Sequence, residues 1–251
     1  MSKQTYGLIG YPLGHSFSRK YFTEKFKTED IDAEYLNFEI PEIGLFTDIL
    51  TQHPNLCGIN VTIPYKERII PFLDELDSKA SKIGAVNVIK VIRSAESGKP
   101  HLIGYNSDII GFQNSIEPLI NKNIHRKALI LGTGGASKAI IQALIDLGVE
   151  CRYVSRTKSY SRFCYEELDE QIMSEYTVIV NTSPVGTYPN IEDAPAIPYH
   201  LLTNQHLLYD LVYNPDMTKF LQRGKDNGAT VKNGAEMLQL QADASWLIWN
   251  K

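Results

Sequence analysis

The chain has no apolar run long enough to span a bilayer and no large excess of charge of either sign. Its 25 basic and 29 acidic residues leave a net charge of -4. That balance exerts no global pull toward nucleic acid or an anionic membrane. Cysteine is scarce: Cys57, Cys151 and Cys164 are the only three, and their spacing fits no zinc motif. Internal repeats and low-complexity tracts are absent. The N-terminus, MSKQTYGLIGYP, lacks the apolar core of a signal peptide, so the expected location is the cytoplasm, where thiols stay reduced. What remains is an ordinary globular composition, with 251 residues, 43% hydrophobic and 22% charged. That length suits one large domain or two small ones.

Short apolar runs alternate with helical patterns, which predicts an α/β fold. TYGLIG reads as a strand, and SFSRKYFTEKFKTE as a helix with Tyr21, Phe22 and Phe26 on one face. AEYLNFEI and CGINVTIP read as strands, with IGLFTDILTQ between them as a helix. ERIIPFLDEL suggests a short helix or turn. AVNVIKVIR and HLIGYN suggest a hairpin across the turn-rich SAESGKP, and so a mixed sheet. DIIGFQNSIEPLI then looks like a linking helix. A second pattern follows in KALILGTGGASKAIIQALIDLGVECRYVSRT: strand, glycine-rich turn, helix, strand. Ala136, Ala139, Ile140, Ala143, Leu144 and Leu147 form one stripe of that helix, and Gly148 ends it. YTVIVNTSP and HLLYDLVYN add strands, and GAEMLQLQADASWLIW is an apolar helix able to dock back on the first unit. The expectation is two α/β domains with a ligand cleft between them.

LILGTGGAS places Gly132, Gly134 and Gly135 after a strand and before a helix. Glycines there permit a tight turn and close approach of backbone to a pyrophosphate, and the helix N-terminus supplies free N–H groups. Ser137 stands where G-x-G-x-x-G has its third glycine. An NAD site usually carries an acidic residue at the end of the next strand for the ribose 2′-hydroxyl. This chain has Ser155, Arg156, Thr157 and Lys158 instead. Arg156 can fork onto a 2′-phosphate and Lys158 can add a point charge, so NADP is the expected cofactor. A solvated basic turn is the plain alternative.

The first half carries polar residues near its strand ends. Ser16 and Ser18 follow the first strand, Asn87 lies in GAVNVI, and Asn106 and Asp108 lie in GYNSDIIGF. In GINVTIPYKERII, Ile59, Val61 and Ile63 alternate with Asn60 and Thr62, and Lys66 lies beyond Pro64. Taken alone, Lys66 is a surface lysine, Asp108 a helix N-cap, and Ser16 and Ser18 caps of the following helix. Gln241 alone is a surface residue on an apolar helix, and His15 reads as structural.

Taken together, GYPLGHSFS, GINVTIPYK, GAVNVI, GYNSDIIGF, LGTGGAS, SRT, VNTSPVG, YDLVYNP and NGAEMLQLQA resemble the shikimate dehydrogenase family. They run in the family's order and span nearly the whole chain. The resemblance implies an oxidoreductase of the shikimate pathway of aromatic amino acid biosynthesis. Such enzymes reversibly reduce the C3 carbonyl of 3-dehydroshikimate with NADPH. It implies a substrate-binding domain, residues 1–105 plus 233–251, and a Rossmann-type NADP domain, residues 106–232. Lys66 and Asp108 would be the catalytic pair, with Asp108 holding the lysine ammonium in place. Ser16 and Ser18 would bind the substrate carboxylate, and Thr62, Asn87, Tyr213 and Gln241 the rest of the substrate. Gly132, Thr133, Gly134, Gly135, Ala136, Ser155, Arg156, Thr157, Lys158, Thr182, Leu211 and Gly234 would line the cofactor site. Asn60 would support the loop, and Pro64 would stiffen the turn that aims Lys66.

Three departures stand out. Arg19 replaces a frequent proline, Ser155 replaces the asparagine of the usual Asn-Arg-Thr turn, and the chain is short after residue 150, which predicts trimmed helices there. The expected partners are small molecules, with no nucleic acid, membrane or metal, and the chain would be a monomer or homodimer. An NAD-using quinate/shikimate dehydrogenase, a non-catalytic nucleotide-sensing module and a folate-linked methylene dehydrogenase are the rival readings. The basic SRTKS turn argues against the first, and Lys66 with Asp108 and the paired serines against the second. The folate-linked enzyme would leave the serines and YDLVYNP unexplained.

Overall fold

The computed structural model describes residues 3–14, 17–93, 99–157 and 159–251. It divides into two compact units, Met1–Ser107 with Ala242–Lys251, and Asp108–Gln241.

The first unit holds strands β1 (Gln4–Gly10), β2 (Ala33–Glu39), β3 (Leu56–Val61), β4 (Glu75–Leu76), β5 (Val88–Arg93) and β6 (Pro100–Tyr105). They form one mixed sheet in the order β2-β1-β3-β5-β6-β4. Helices α1 (Phe17–Thr28), α2 (Phe46–Gln52) and α3 (Ser78–Ile83) complete its regular structure. β1, β2 and β3 run parallel, and β5 and β6 form the expected antiparallel hairpin. Phe22 and Phe26 of α1 are buried, as their spacing predicts. ERIIPFLDEL resolves into a 3-10 turn at Ile70–Phe72 followed by β4.

β3 departs from the half-buried strand that its alternation suggests. Ile59, Asn60 and Val61 are all buried, so both faces are covered. The strand ends at Val61, and Ile63 is 74% exposed. Two further backbone bonds tie the chain to the end of β1, Thr62 N to Ile9 O at 2.9 Å and Tyr11 N to Ile63 O at 3.1 Å, before it turns at a cis Ile63–Pro64 bond.

The second unit holds helices α4 (Asp108–Ile116), α5 (Gly135–Asp146), α6 (Glu170–Glu175) and α7 (Lys219–Asp226). Its strands are β7 (Lys127–Leu131), β8 (Glu150–Ser155), β9 (Arg162–Cys164), β10 (Val178–Asn181), β11 (Leu207–Asp210) and β12 (Thr230–Lys232). All neighbours pair in parallel, in the order β12-β11-β10-β7-β8-β9. Numbered within the unit this is 6-5-4-1-2-3, the doubly wound order whose direction reverses between β7 and β10. α5 ends in a Schellman motif: Val149 N donates to Leu144 O and Gly148 N to Ile145 O, both at 2.9 Å, with Gly148 at φ +83°. The shortening after residue 150 has a definite form. β8 and β9 are parallel neighbours joined by residues 156–161 alone, where such crossovers usually take a dozen residues and a helix. The Arg152 guanidinium instead covers the Phe163 ring at 5.1 Å.

The last helix, α8 (Ala235–Trp249), contributes its start to the second unit and its remainder to the first. Trp249 packs on Gly58, where a Cβ would collide with the indole, and donates to Ile89 O at 3.1 Å. Its ring lies 4.9 Å from Tyr6 and 5.2 Å from Phe22. Among the described residues no helix is long and apolar enough to cross a membrane.

Candidate active site

In the second unit the glycine turn is built as its sequence requires. Gly132, the first residue past β7, sits at φ +112°, and a Cβ there would lie 3.0 Å from Thr182 Oγ1. Thr182, the first residue past β10, donates its hydroxyl to Leu131 O at 3.0 Å. Thr133 follows Gly132 in the turn. Gly134 is the N-cap of α5, and a Cβ on it would meet no atom within 4 Å. Gly135 and Ala136 open the helix, whose first N–H groups and dipole favour an anion. Ser137 replaces the third glycine without disturbing the turn. It is fully buried, donates to Gly134 O at 2.6 Å and lies 3.3 Å from Tyr153 Oη.

The other residues predicted for the cofactor lie along the same edge. Ser155 is the last residue of β8, and its hydroxyl donates to Thr157 O at 2.7 Å. That bond closes the turn from which the exposed Arg156 projects. The serine in place of asparagine is thus an organiser of the turn. Lys158 lies outside the described residues. Leu211 follows β11, and Gly234 follows β12 so closely against the Leu211 carbonyl that a Cβ would collide with it. Gly132, Thr182, Leu211, Gly234 and the Ser155 turn therefore stand at the carboxyl ends of five adjacent parallel strands, flanking the β7/β10 switch point. That is where open α/β sheets bind ligands. Tyr213, 42% exposed, lies two residues past Leu211.

Two residues that sequence reading passed over hold this edge. Asp210, fully buried at the end of β11, accepts from Thr218 Oγ1 at 2.6 Å, Val212 N at 3.0 Å and Asn181 Nδ2 at 2.9 Å. Burial pushes its carboxyl up to about 6, against the pull of those three bonds. Asn181 also accepts from Ser183 N at 3.1 Å and Ser183 Oγ at 2.6 Å. The polar positions in VNTSP and YDLVYNP, inside otherwise apolar strands, are the signal that could have found them.

Asp108, 3% exposed, is the first residue of α4. It therefore stands inside the first turn and not at the N-cap ahead of it. Gln241 is half-buried on α8, and its backbone lies against Gly111 of α4.

In the first unit, Thr62, Lys66 and Asn87 gather at one end of the sheet. Thr62 packs on Gly10 at the end of β1, where a Cβ would come within 2.5 Å of its methyl carbon. Lys66, half-buried, is joined to the start of the hairpin by Val86 N to Lys66 O at 2.7 Å. Asn87, next in sequence, precedes β5. Its side chain is engaged by Ser107: Nδ2 donates to Ser107 Oγ at 3.1 Å and Oδ1 accepts from Ser107 N at 2.6 Å. Ser107 Oγ reaches Ser245 Oγ at 3.2 Å, and Asn60 Nδ2 donates to Ser245 Oγ at 3.0 Å. Tyr35 Oη donates to Asn60 Oδ1 at 2.7 Å. Burial raises the Tyr35 hydroxyl pKa, while a hydrogen bond with Ser18 lowers it. Ser18, in the first turn of α1, is thus tied to the same network. Asn60 is thus held within the core by Tyr35, Ser245 and the Asn87 carbonyl. Ser107 lies inside GYNSDIIGF but was not singled out there, and Ser245 lies outside the motifs. His15 and Ser16 lie outside the described residues.

The arrangement offers a backbone cradle suited to a dinucleotide in one unit and side-chain donors and acceptors in the other. Comparison with known proteins agrees. A family model described as the shikimate dehydrogenase substrate binding domain matches residues 8–89. The shikimate dehydrogenase (NADP(+)) of Carboxydothermus hydrogenoformans is 37% identical over 97% of this chain and 90% of its own. The crystal structure of shikimate dehydrogenase from Aquifex aeolicus superposes with a TM-score of 0.84 at 35% identity, covering 99% of this chain and 92% of that one. The Thermus thermophilus enzyme, solved in complex with NADP(H) and shikimate, gives 0.82 at 27% identity over 98% and 93%. With relationships that run through almost its entire length, the chain belongs to the shikimate dehydrogenase family.

Proposed function

We propose that the protein is an NADP-dependent shikimate dehydrogenase, reversibly reducing the C3 carbonyl of 3-dehydroshikimate to shikimate for aromatic amino acid biosynthesis. The first unit is the substrate domain and the second the cofactor domain. The observation that carries this reading is the alignment of Gly132, Thr182, Leu211, Gly234 and the Ser155–Arg156 turn along the carboxyl edge of one parallel sheet. NADPH, when bound, supplies the hydride. The N-terminus of α5 holds its pyrophosphate, and Arg156 and Lys158 take the 2′-phosphate.

Lys66 is the cation that meets the negative charge growing on the carbonyl oxygen, and it delivers the proton there. Asp108 accepts a hydrogen bond from a ring hydroxyl. Ser16 and Ser18 bind the substrate carboxylate through hydroxyl donors. Thr62, Asn87, Tyr213 and Gln241 complete recognition of the polyhydroxylated ring. The buried Asn60 network supports this reading, because it fixes the backbone that carries Thr62 and Asn87. A cytoplasmic location and a monomeric or homodimeric state complete the proposal.

The test is initial-rate kinetics with shikimate or quinate against NADP or NAD. The expected result is strong preference for shikimate with NADP. Comparable rates with quinate and NAD would overturn the assignment in favour of a quinate/shikimate dehydrogenase.

A further inference from the structure

Glycine inside a helix is about 1 kcal/mol less favourable than alanine, so Gly111, in the middle of α4, calls for a reason. The reason is close approach. A Cβ at Gly111 would lie 2.6 Å from Met237 O, 3.0 Å from Gln241 N and 3.1 Å from Gln241 Cβ. The two shortest contacts are to the backbone of α8, which cannot swing aside as a flexible side chain can. Without the glycine the two helices could not meet at this depth.

Asp108, Gly111 and Ser115 form one stripe of α4, at i, i+3 and i+7, and all three are buried. Ser115 Oγ donates to Glu236 Oε2 at 3.1 Å and lies 2.9 Å from Tyr209 Oη. Lys232 Nζ holds Glu236 at 2.6 Å. The contacts run antiparallel: Ser115 meets Glu236 at the start of α8, and Gly111 meets Met237 and Gln241 further along. The next position on the stripe is Asp108.

We propose that this α4–α8 seam, with its close contact at Gly111 and its hydrogen bond at Ser115, sets the position of Gln241 relative to Asp108. Gly111 is then a positioning residue for the substrate. The inference rests on the reading of Asp108 and Gln241 as substrate contacts.

Steady-state kinetics on the full-length enzyme tests it with Gly111→Ala, Gln241→Ala, the double variant and Ser115→Ala. Gly111→Ala should lower kcat/KM for shikimate by about ten- to a hundredfold, mainly through KM, since small misplacements of binding groups carry losses of that order. The Kd of NADP, titrated without shikimate, should change less than about twofold, because the damage is confined to substrate placement. Added to Gln241→Ala, the same substitution should cost under about threefold, since coupled sites are non-additive. Wild-type kinetics in Gly111→Ala beside an impaired Gln241→Ala would overturn the inference and leave the functional reading standing. Wild-type kcat/KM for shikimate in both Gln241→Ala and Asp108→Ala would overturn the reading beneath it. Equal loss of NADP and shikimate binding in Gly111→Ala would mark general damage and refute positioning. Should Gly111→Ala fail to fold, Ser115→Ala decides, since it adds no bulk. A severalfold rise in shikimate KM at constant NADP Kd supports the seam, and an unchanged KM overturns it.

Discussion

The two sheets present their site edges in different ways. In the second unit the strand ends offer mostly backbone. Gly132 is there for its φ and its closeness to Thr182, and Gly234 for its closeness to Leu211. In the first unit the equivalent edge offers side chains, each held by others: Asn87 by Ser107, Asn60 by Tyr35 and Ser245. On the proposed function, the two ligands account for the difference. A pyrophosphate is satisfied by N–H groups and a helix dipole, which glycine exposes best. A ring with several distinct hydroxyls needs donors and acceptors at fixed places. Such groups stay in place within the core only when their own hydrogen bonds are met.

The comparison breaks most sharply at the chemistry. Lys66→Ala and Asp108→Ala are each expected to lower kcat by about 10² or more, with NADP affinity retained. Stopped or steady-state assays of shikimate-dependent NADP reduction measure this, and near wild-type rates in folded variants refute the assigned roles. On the backbone side, Gly132→Val places a β-branched residue at φ +112° with the Thr182 hydroxyl 3.0 Å from its Cβ. The KM for NADP should rise by at least about tenfold while the KM for shikimate holds, because strain and collision act at the turn alone. Arg156→Ala should cost about tenfold in kcat/KM with NADP, the worth of a charge-assisted hydrogen bond, and leave NAD kinetics unchanged. Equal losses with the two cofactors would assign Arg156 to the turn instead of the phosphate.

Smaller effects probe the supports. Asn60→Leu removes the acceptor of Tyr35 and the donor to Ser245, and should destabilise the protein by about 1 kcal/mol, read from the urea midpoint. NADP affinity should not follow. His125 and His206 of the second unit are buried, and burial lowers both pKa values below the ordinary 6.5. The unfolded chain then binds more protons than the native one below that pH, so stability is lost on acidification. Asp210, raised to about 6, acts with the opposite sign, so the readout is a difference between proteins. Between about pH 7 and about pH 5.5 the Tm of His206→Gln should fall less than that of the parent. An identical fall in both would remove His206 from the account.

Legibility followed element length and local chemistry. β1, α1, β2, β7, α5, β8 and α8 were readable because apolar periodicity and caps specify them within one segment. α3, α6, β9 and β12 are three to six residues long and carry too little period to announce themselves. β9 was hidden further by its crossover, too short for any expectation of a parallel neighbour. In GINVTIPYKERII the alternation correctly marked Ile59 and Val61 as buried but carried the pattern two residues too far, to the exposed Ile63. Only the turn at Pro64 ends the strand there.

By itself, the sequence determined the chemistry available: a glycine turn between strand and helix, a basic turn in place of an acidic one, Lys66 and Asp108, and a family's motifs in order. These are local, since a dihedral requirement or a charge belongs to its own residue. Tertiary structure alone decided which of them are held, and by what. Asn60 finds Tyr35 25 residues away and Ser245 185 residues away. Gly111 has its reason in a helix more than a hundred residues later, and Asp210 is satisfied only where β10, β11 and the cap of α7 meet. Burial and hydrogen-bond satisfaction are properties of packing, and no single segment contains both partners.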